Sequence, residues 1–195
     1  MSQRYNIALV GATGNVGREM LQILDQRSFP VDEIYCLASS RSKGTKLEFN
    51  KKEIIVEELS EFDFSKVHIG LFSPGGKISA EYVPKAVSQG CLVIDNTSYF
   101  RMKDDVPLII PEVNGEELNN FFENKRRSNI ISNPNCSTIQ MVVALKPIHE
   151  AAIVNRIVVS TYQSVSGAGK ESMNELFDQT RDIYANKNIN KKEFT

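Results

Sequence analysis

The stretch Asn6-Ile7-Ala8-Leu9-Val10-Gly11-Ala12-Thr13-Gly14-Asn15-Val16-Gly17 decides the fold. Residues 6–10 read as a strand buried on both faces, because the apolar run is almost unbroken. Val16, Met20, Leu21 and Leu24 then recur at helical spacing. Glycines between such a strand and such a helix allow a tight turn, close approach of backbone to a phosphate, and close helix packing. The helix N-terminus adds N–H donors for that phosphate. In this setting the pattern is a dinucleotide-binding fingerprint, with Gly11, Thr13, Gly14, Asn15 and Val16 as candidate cofactor contacts. The plainer alternative is an ordinary tight βα turn.

The next strand, Glu33 to Ala38, runs into Ser39-Ser40-Arg41-Ser42-Lys43-Gly44. A carboxylate at this strand end would accept from the ribose 2′-OH of NAD. The loop offers hydroxyls and cations instead, which suit a 2′-phosphate. Ser39, Arg41 and Ser42 are therefore candidate contacts, and NADP is the expected cofactor. A solvated basic loop is the alternative.

Strand-like and helix-like patterns continue to alternate. Ile54-Ile55-Val56 reads as a short extra strand. Val67 to Phe72 reads as a buried strand that enters the Gly-rich turn Ser73-Pro74-Gly75-Gly76. Ser79 to Ser88 reads as a helix that stops at Gly90. Cys91 to Asp95, a short run at Leu108 to Ile110, and Asn129 to Ser132 read as further strands. This succession predicts an α/β fold built on a doubly wound parallel sheet, a Rossmann-like NADP-binding domain, with ligands at the strands' carboxyl ends. A new strand is expected over Ile157 to Gln163, then a helix lined by Met173, Leu176, Phe177, Thr180 and Ile183 or Tyr184. These last elements are too few to complete a second sheet. The expected division is a dinucleotide-binding domain over 1–133 and the start of an incomplete α/β catalytic/dimerisation domain over 134–195.

Asn133-Pro134-Asn135-Cys136-Ser137-Thr138 lies between an apolar run and the helical pattern from Ile139 to Leu145. That places Cys136 at a helix N-terminus, where unpaired N–H groups and the helix dipole stabilise a thiolate. Cys136 is accordingly a candidate nucleophile. Cys36 and Cys91 sit in or beside apolar strands and read as core.

Composition narrows the class. With 195 residues and 41% hydrophobic content the chain can bury one sizeable core. A net charge of −1 argues against a general nucleic-acid or anionic-membrane binder. No apolar run is long enough to span a bilayer, and the N-terminus enters a strand without a signal-peptide apolar region. Three scattered cysteines suit a reducing compartment, and a cytoplasmic location is expected. His68 and His149 are isolated, and no metal-ligand spacing is present. Lys125-Arg126-Arg127 reads as a solvated face.

These residues resemble aspartate-semialdehyde dehydrogenase of the bacterial NADP-dependent type. The likeness runs through GATGNVG at 11–17, SSRS at 39–42, DNTSYFR at 95–101, PEVN at 111–114, PNCST at 134–138 and STYQSVSGAG at 160–169. It implies reductive dephosphorylation of L-aspartyl-4-phosphate to L-aspartate-4-semialdehyde, on the route to lysine, threonine and methionine. It implies Cys136 as nucleophile, Gln163 orienting the acyl group, Arg101 gripping the phosphate and Asn135 supporting substrate or loop. Ser73, Gly75, Gly76, Ser166 and Gly167 would surround the nicotinamide side of NADP. A homodimer is expected of the family. The family is longer, and its acid/base histidine matches neither His68 nor His149, so this chain alone is expected to be nearly inactive. Two further readings stay open: a stand-alone NADP-binding module, and another cysteine-dependent acyl-phosphate reductase such as an acetylglutamyl-phosphate or glyceraldehyde-phosphate dehydrogenase relative.

Overall fold

Ile7 and Leu9 enter one buried cluster and Ala8 and Val10 another, so the first strand is sealed on both faces. The structure is a computed structural model and describes residues 3–123 and 128–189. The stretch Lys125-Arg126-Arg127 lies outside the described residues.

The strands are β1 (Tyr5–Val10), β2 (Val31–Ala38), β3 (Lys46–Phe49), β4 (Lys52–Ile55), β5 (Glu57–Glu58), β6 (Ile69–Phe72), β7 (Leu92–Asp95) and β8 (Ile130–Ser132). Six of them form one parallel sheet in the order β5-β2-β1-β6-β7-β8. The strand order reverses beside β1, with β2 on one side and β6 on the other. Such a switch point opens a crevice at the carboxyl ends of the strands. The doubly wound α/β expectation is met.

The helices are α1 (Asn15–Gln26), α2 (Gly76–Ser88), α3 (Pro111–Asn114), α4 (Glu117–Glu123), α5 (Cys136–Ala152) and α6 (Lys170–Tyr184). Val83 and Ala86 of α2 pack with Phe64, Phe72 and Val93 on one face of the sheet. Leu21 of α1 packs with Leu9 and Cys36 on the other. The run at Ile54 and Ile55 does form a strand, and its partner is β3, in an antiparallel hairpin that adds Leu47 and Phe49 to this second face. Leu108 to Ile110 makes only an isolated bridge, Leu108 to Ser132. The α2 helix begins three residues earlier than its apolar spacing suggests, at the glycine turn itself.

The chain divides into two compact units, Met1–Ile157 and Val158–Thr195. Where the second begins, the expected strand over Ile157 to Gln163 does not form. The backbone there has no strand partner among the described residues, and Val158 is 82% exposed. A strand's N–H and C=O groups need a neighbouring strand, so β-propensity alone leaves an unpaired run. The expected helix does form as α6. Its apolar side, including Phe177 and Tyr184, stays exposed, while Ser172 and Glu175 are the buried positions.

Candidate active site

Gly11 sits in the left-handed region at φ +85°, and a Cβ there would lie 2.7 Å from the carbonyl oxygen of Ser73. Both facts demand glycine. They also show that the turn after β1 and the turn after β6 touch. Gly17 is constrained by space alone, with a Cβ falling 2.4 Å from the Gly11 carbonyl, so α1 can start this close to β1 only through a glycine. Gly14 caps α1 without a side chain, and the Arg18 guanidinium folds back onto the Thr13 carbonyl at 3.3 Å. Asn15 and Val16 open the helix, and both are exposed. This is the geometry of an anion site at a helix N-terminus.

At the end of β2, Ser40–Ser42 form one turn of 3₁₀ helix, with the Ser39 carbonyl accepting from the Ser42 N–H at 2.9 Å. Arg41 is exposed, and among the described residues it forms no ion pair. Its neighbour Lys43 is engaged by Glu58 at 3.4 Å and Glu61 at 2.5 Å. Of the two cations in this loop, Arg41 is therefore the one without an ion-pair partner among the described residues. After β6, Gly75 stands at φ +97° and α2 begins at Gly76, whose Cβ position lies 3.8 Å from the Ser98 hydroxyl. The donor set of glycine-rich helix starts, serines and an arginine fits a dinucleotide phosphate.

The β7 and β8 ends carry the second half of the site. Arg101 is half-buried and donates from Nε to the Asn133 carbonyl and from Nη2 to the Asn96 carbonyl, each at 3.0 Å. Arginine has five N–H donors, so three remain beyond these two bonds. Asn135 caps α5, its Oδ1 accepting from the Ser137 N–H at 3.0 Å. Cys136 is the first residue of that 17-residue helix and is exposed. Cys36 and Cys91 are buried, and burial pushes both thiols up to about 12. A charge on sulfur is costly in such surroundings. The exposure pattern thus singles out Cys136 among the three.

Three polar residues at this end were not legible as site residues. Asp95 is fully buried, and its two carboxyl oxygens accept from the Ser79 and Thr97 hydroxyls, each at 2.8 Å. Its backbone carbonyl accepts from the Asn133 N–H at 3.2 Å. Asn96 and Asn133 are joined side chain to side chain at 2.5 Å. The available signal was an abrupt change from apolar to amide and carboxyl residues at a strand end.

The first unit brings together the ends of β1, β2, β6, β7 and β8, and with them Gly11, Arg41, Ser73, Arg101 and Cys136. Gln163, Ser166 and Gly167 belong to the second unit. There Gln163 is exposed, Ser166 lies 2.7 Å from Ser164 hydroxyl to hydroxyl, and the Gly167 N–H donates to the Ser164 carbonyl. The two histidines have local partners. His68 Nδ1 accepts from the Asn6 N–H at 2.9 Å, and His149 Nδ1 accepts from the Val154 N–H at 3.1 Å, closing the end of α5. A groove of about 670 Å³ lies between the hairpin and β2, lined by Val31, Tyr35, Phe49 and Ile54 among others; it contains no cysteine and shares none of the candidate contacts. No group of metal-ligating side chains is found among the described residues. Nor is any helix among them long and apolar enough to cross a membrane.

Comparison with known proteins agrees with this architecture. The family model for the semialdehyde dehydrogenase NAD-binding domain matches residues 6–121, and that for the semialdehyde dehydrogenase dimerisation domain matches residues 145–195. Aspartate-semialdehyde dehydrogenase 2 of Vibrio cholerae is 56% identical over 183 residues, which are 94% of this chain and 53% of the relative. The crystal structure of aspartate-semialdehyde dehydrogenase II from Vibrio cholerae complexed with ASA superposes with a TM-score of 0.91 at 51% identity, covering 100% of this chain and 56% of that one. The aspartate-semialdehyde dehydrogenase of Candida albicans solved with NADP superposes with a TM-score of 0.65 at 26% identity, over 78% of this chain and 48% of that one. This chain spans about half the length of the curated relatives it matches. The first family model alone matches more than half of the chain and takes in the glycine turn and the strands from β1 to β7: the chain belongs to the semialdehyde dehydrogenase family.

Proposed function

We propose that this chain carries the cofactor site and nucleophile of an NADP-dependent aspartate-semialdehyde dehydrogenase. The reaction is reductive dephosphorylation of L-aspartyl-4-phosphate to L-aspartate-4-semialdehyde, in the biosynthesis of lysine by way of diaminopimelate, and of threonine and methionine. One observation carries the reading. An exposed thiol opens α5, and an arginine is fixed on the Asn133 carbonyl, in the loop leading to that thiol.

Cys136, as thiolate, attacks the acyl-phosphate carbonyl. A C–S bond forms, the C–O bond to phosphate breaks, and phosphate departs toward the remaining donors of Arg101. Bound at the glycine turns, NADPH would supply the hydride for the resulting thioester; breaking the C–S bond then releases the aldehyde and returns the thiolate to Cys136. Covalent catalysis divides one hard displacement into easier steps. Gln163 is assigned to orient the acyl group, Asn135 to substrate and loop support, and Ser73, Gly75, Gly76, Ser166 and Gly167 to the nicotinamide side. Gly11, Thr13, Gly14, Asn15 and Val16 would hold the pyrophosphate, with Ser39, Arg41 and Ser42 at the 2′-phosphate.

Several lines support the finer assignments. The exposed Arg41 and the NADP in the Candida albicans relative favour NADP. The dimerisation-domain match supports a homodimer. Buried, unpaired Cys36 and Cys91 suit a reducing cytoplasm. A functional boundary is proposed at residue 133, where the sheet gives way to the nucleophile loop. Neither histidine here is assigned the acid/base role: His68 precedes β6, at the sheet edge opposite the strands' carboxyl ends, and His149 closes the end of α5 remote from Cys136. Losing proton transfer costs about 10²–10⁴-fold in rate, so the chain alone should turn over slowly or not at all.

The test is NADPH titration together with iodoacetamide labelling of Cys136 in the presence and absence of inorganic phosphate. Saturable NADPH binding with phosphate-dependent protection is expected. Absence of both would overturn the assignment, whereas NADPH binding with no phosphate effect would favour a cofactor-binding module.

A further inference from the structure

We propose that Asn96 is a positioning residue that ties the cofactor turn after β6 to the nucleophile loop after β8. The inference rests on the proposed function for the identity of the two loops, and on three hydrogen-bonded strand ends for its geometry.

Asn96 follows β7, which lies between β6 and β8 in the sheet. The flanking strand ends are two strand spacings apart, about 10 Å, too far for Ser73 and Asn133 to bond directly. A side chain from the middle strand can bridge them. Asn96 does so with both ends of its amide. Its Oδ1 accepts from Asn133 Nδ2 at 2.5 Å, and its Nδ2 donates to Ser73 Oγ at 3.4 Å. Its backbone joins the same array. The N–H donates to the Phe72 carbonyl at 2.8 Å, and the carbonyl accepts from Arg101 Nη2 at 3.0 Å. One residue therefore touches the end of β6, the loop after β8 and the guanidinium assigned to the departing phosphate.

The ladder has a direction. Asn133 donates to Asn96, and Asn96 donates to Ser73. Ser73 Oγ accepts in this chain, so its own O–H is left to donate onward. An amide is required in the middle, because the bridge needs an acceptor on one side and a donor on the other. Asn96 thus presents Ser73 as a donor to the nicotinamide side of the cofactor, and it sets the loop that leads into Pro134, Asn135 and Cys136. Its hydrogen-bond partners are Phe72, Ser73, Arg101 and Asn133, so it acts through them.

Two substitutions separate the halves of the bridge. Asn96→Ala removes both side-chain bonds and leaves the backbone carbonyl for Arg101. Asn96→Asp keeps an acceptor for Asn133 and removes the N–H donor to Ser73. The readouts on the full chain are the NADPH dissociation constant, the rate of iodoacetamide labelling of Cys136 without cofactor, and the urea midpoint. NADPH is the probe because its dihydronicotinamide ring is uncharged and does not respond strongly to the new carboxylate. With Asn96→Ala, NADPH binding should weaken and the labelling rate should change, each by about threefold or more, the scale of one neutral hydrogen bond. With Asn96→Asp, labelling should stay within about twofold of the parent while NADPH remains weakened. A general loss of stability would move both readouts together in both variants, so this split is the signature of the bridge. Unchanged labelling in Asn96→Ala, or labelling in Asn96→Asp that moves as far as in Asn96→Ala, would overturn the proposal. Failure of the parent chain to bind NADPH would instead reject the proposed function, and the cofactor-free labelling would still decide the link to the nucleophile loop.

Discussion

Arg101 Nε donates to the carbonyl oxygen of Asn133 at 3.0 Å, which fixes the guanidinium on the loop that enters α5 at Cys136. The nearby Asn96 carbonyl takes Nη2. A lysine could supply the charge, but it cannot make both bonds in one plane and still present donors outward.

Arg101→Lys should therefore weaken phosphate protection of Cys136, and Arg101→Ala should abolish it. Loss of a hydrogen bond to a charged group costs about 1.5–3 kcal/mol, so the phosphate concentration giving half-protection should rise roughly tenfold to a hundredfold. Mass-spectrometric labelling across a phosphate titration measures this. Equal protection in the parent and in Arg101→Ala would remove Arg101 from the phosphate site.

Cys136 should react with iodoacetamide faster than Cys36 or Cys91 in the native chain. The thiolate is the reactive form; burial pushes the two core thiols up to about 12, while Cys136 is exposed. Site-resolved labelling at neutral pH decides it, and comparable rates at the three positions would be a clear failure.

Those same core thiols predict a loss of stability in alkali. In the unfolded chain a cysteine titrates near 9.0, whereas folded Cys36 and Cys91 hold their protons to about 12. Between these values the unfolded state binds fewer protons, so stability is intact below pH 9 and falls as pH rises toward 12. Urea midpoints measured across this window should decline, and the decline should be shallower in a Cys36→Ala, Cys91→Ala double variant.

Arg41→Ala should weaken NADPH binding and spare NADH. Its assigned contact is the 2′-phosphate, which NADH lacks, and its neighbour Lys43 is already held by Glu58 and Glu61. Parallel titrations with the two cofactors test this directly; equal losses would reassign the loop to a general electrostatic role.

Two glycines offer a structural control. Gly11→Ala combines positive φ with a Cβ placed 2.7 Å from the Ser73 carbonyl. Gly75→Ala has positive φ as well, but nothing lies within 4 Å of its Cβ. The second should cost about 1–3 kcal/mol, the conformational term alone. The first should cost more, by roughly a further 1–3 kcal/mol, as an overpacked site does. Equal urea midpoints would contradict the close contact between the two turns.

The first βα unit was legible because its signals are local. An unbroken apolar run, Gly11 and Gly17, and a helical apolar spacing act over a few residues and need no distant partner. The same holds for Cys136, whose helix start is announced by Pro134 and the capping Asn135. Ile157 to Gln163 shows the converse. Its β-branched residues favour extended backbone, but a strand exists only when another strand takes up its N–H and C=O groups. Gln163, Ser166 and Gly167 carry no local signal of their own, and they lie in the second compact unit.

Sequence by itself determined the parallel α/β class, the glycine turn after β1, the basic serine-rich loop after β2 and the placement of a cysteine at a helix start. Only the tertiary structure decided that Arg101 rests on the carbonyls of Asn96 and Asn133, that Asp95 is buried between two hydroxyls, and that Ser73, Asn96 and Asn133 form a bridge across three strand ends. The physical reason is sequence distance. Periodicity, caps and turns are written within a few residues, while hydrogen bonds between strand ends join groups tens of residues apart and depend on strand order, which no local pattern encodes.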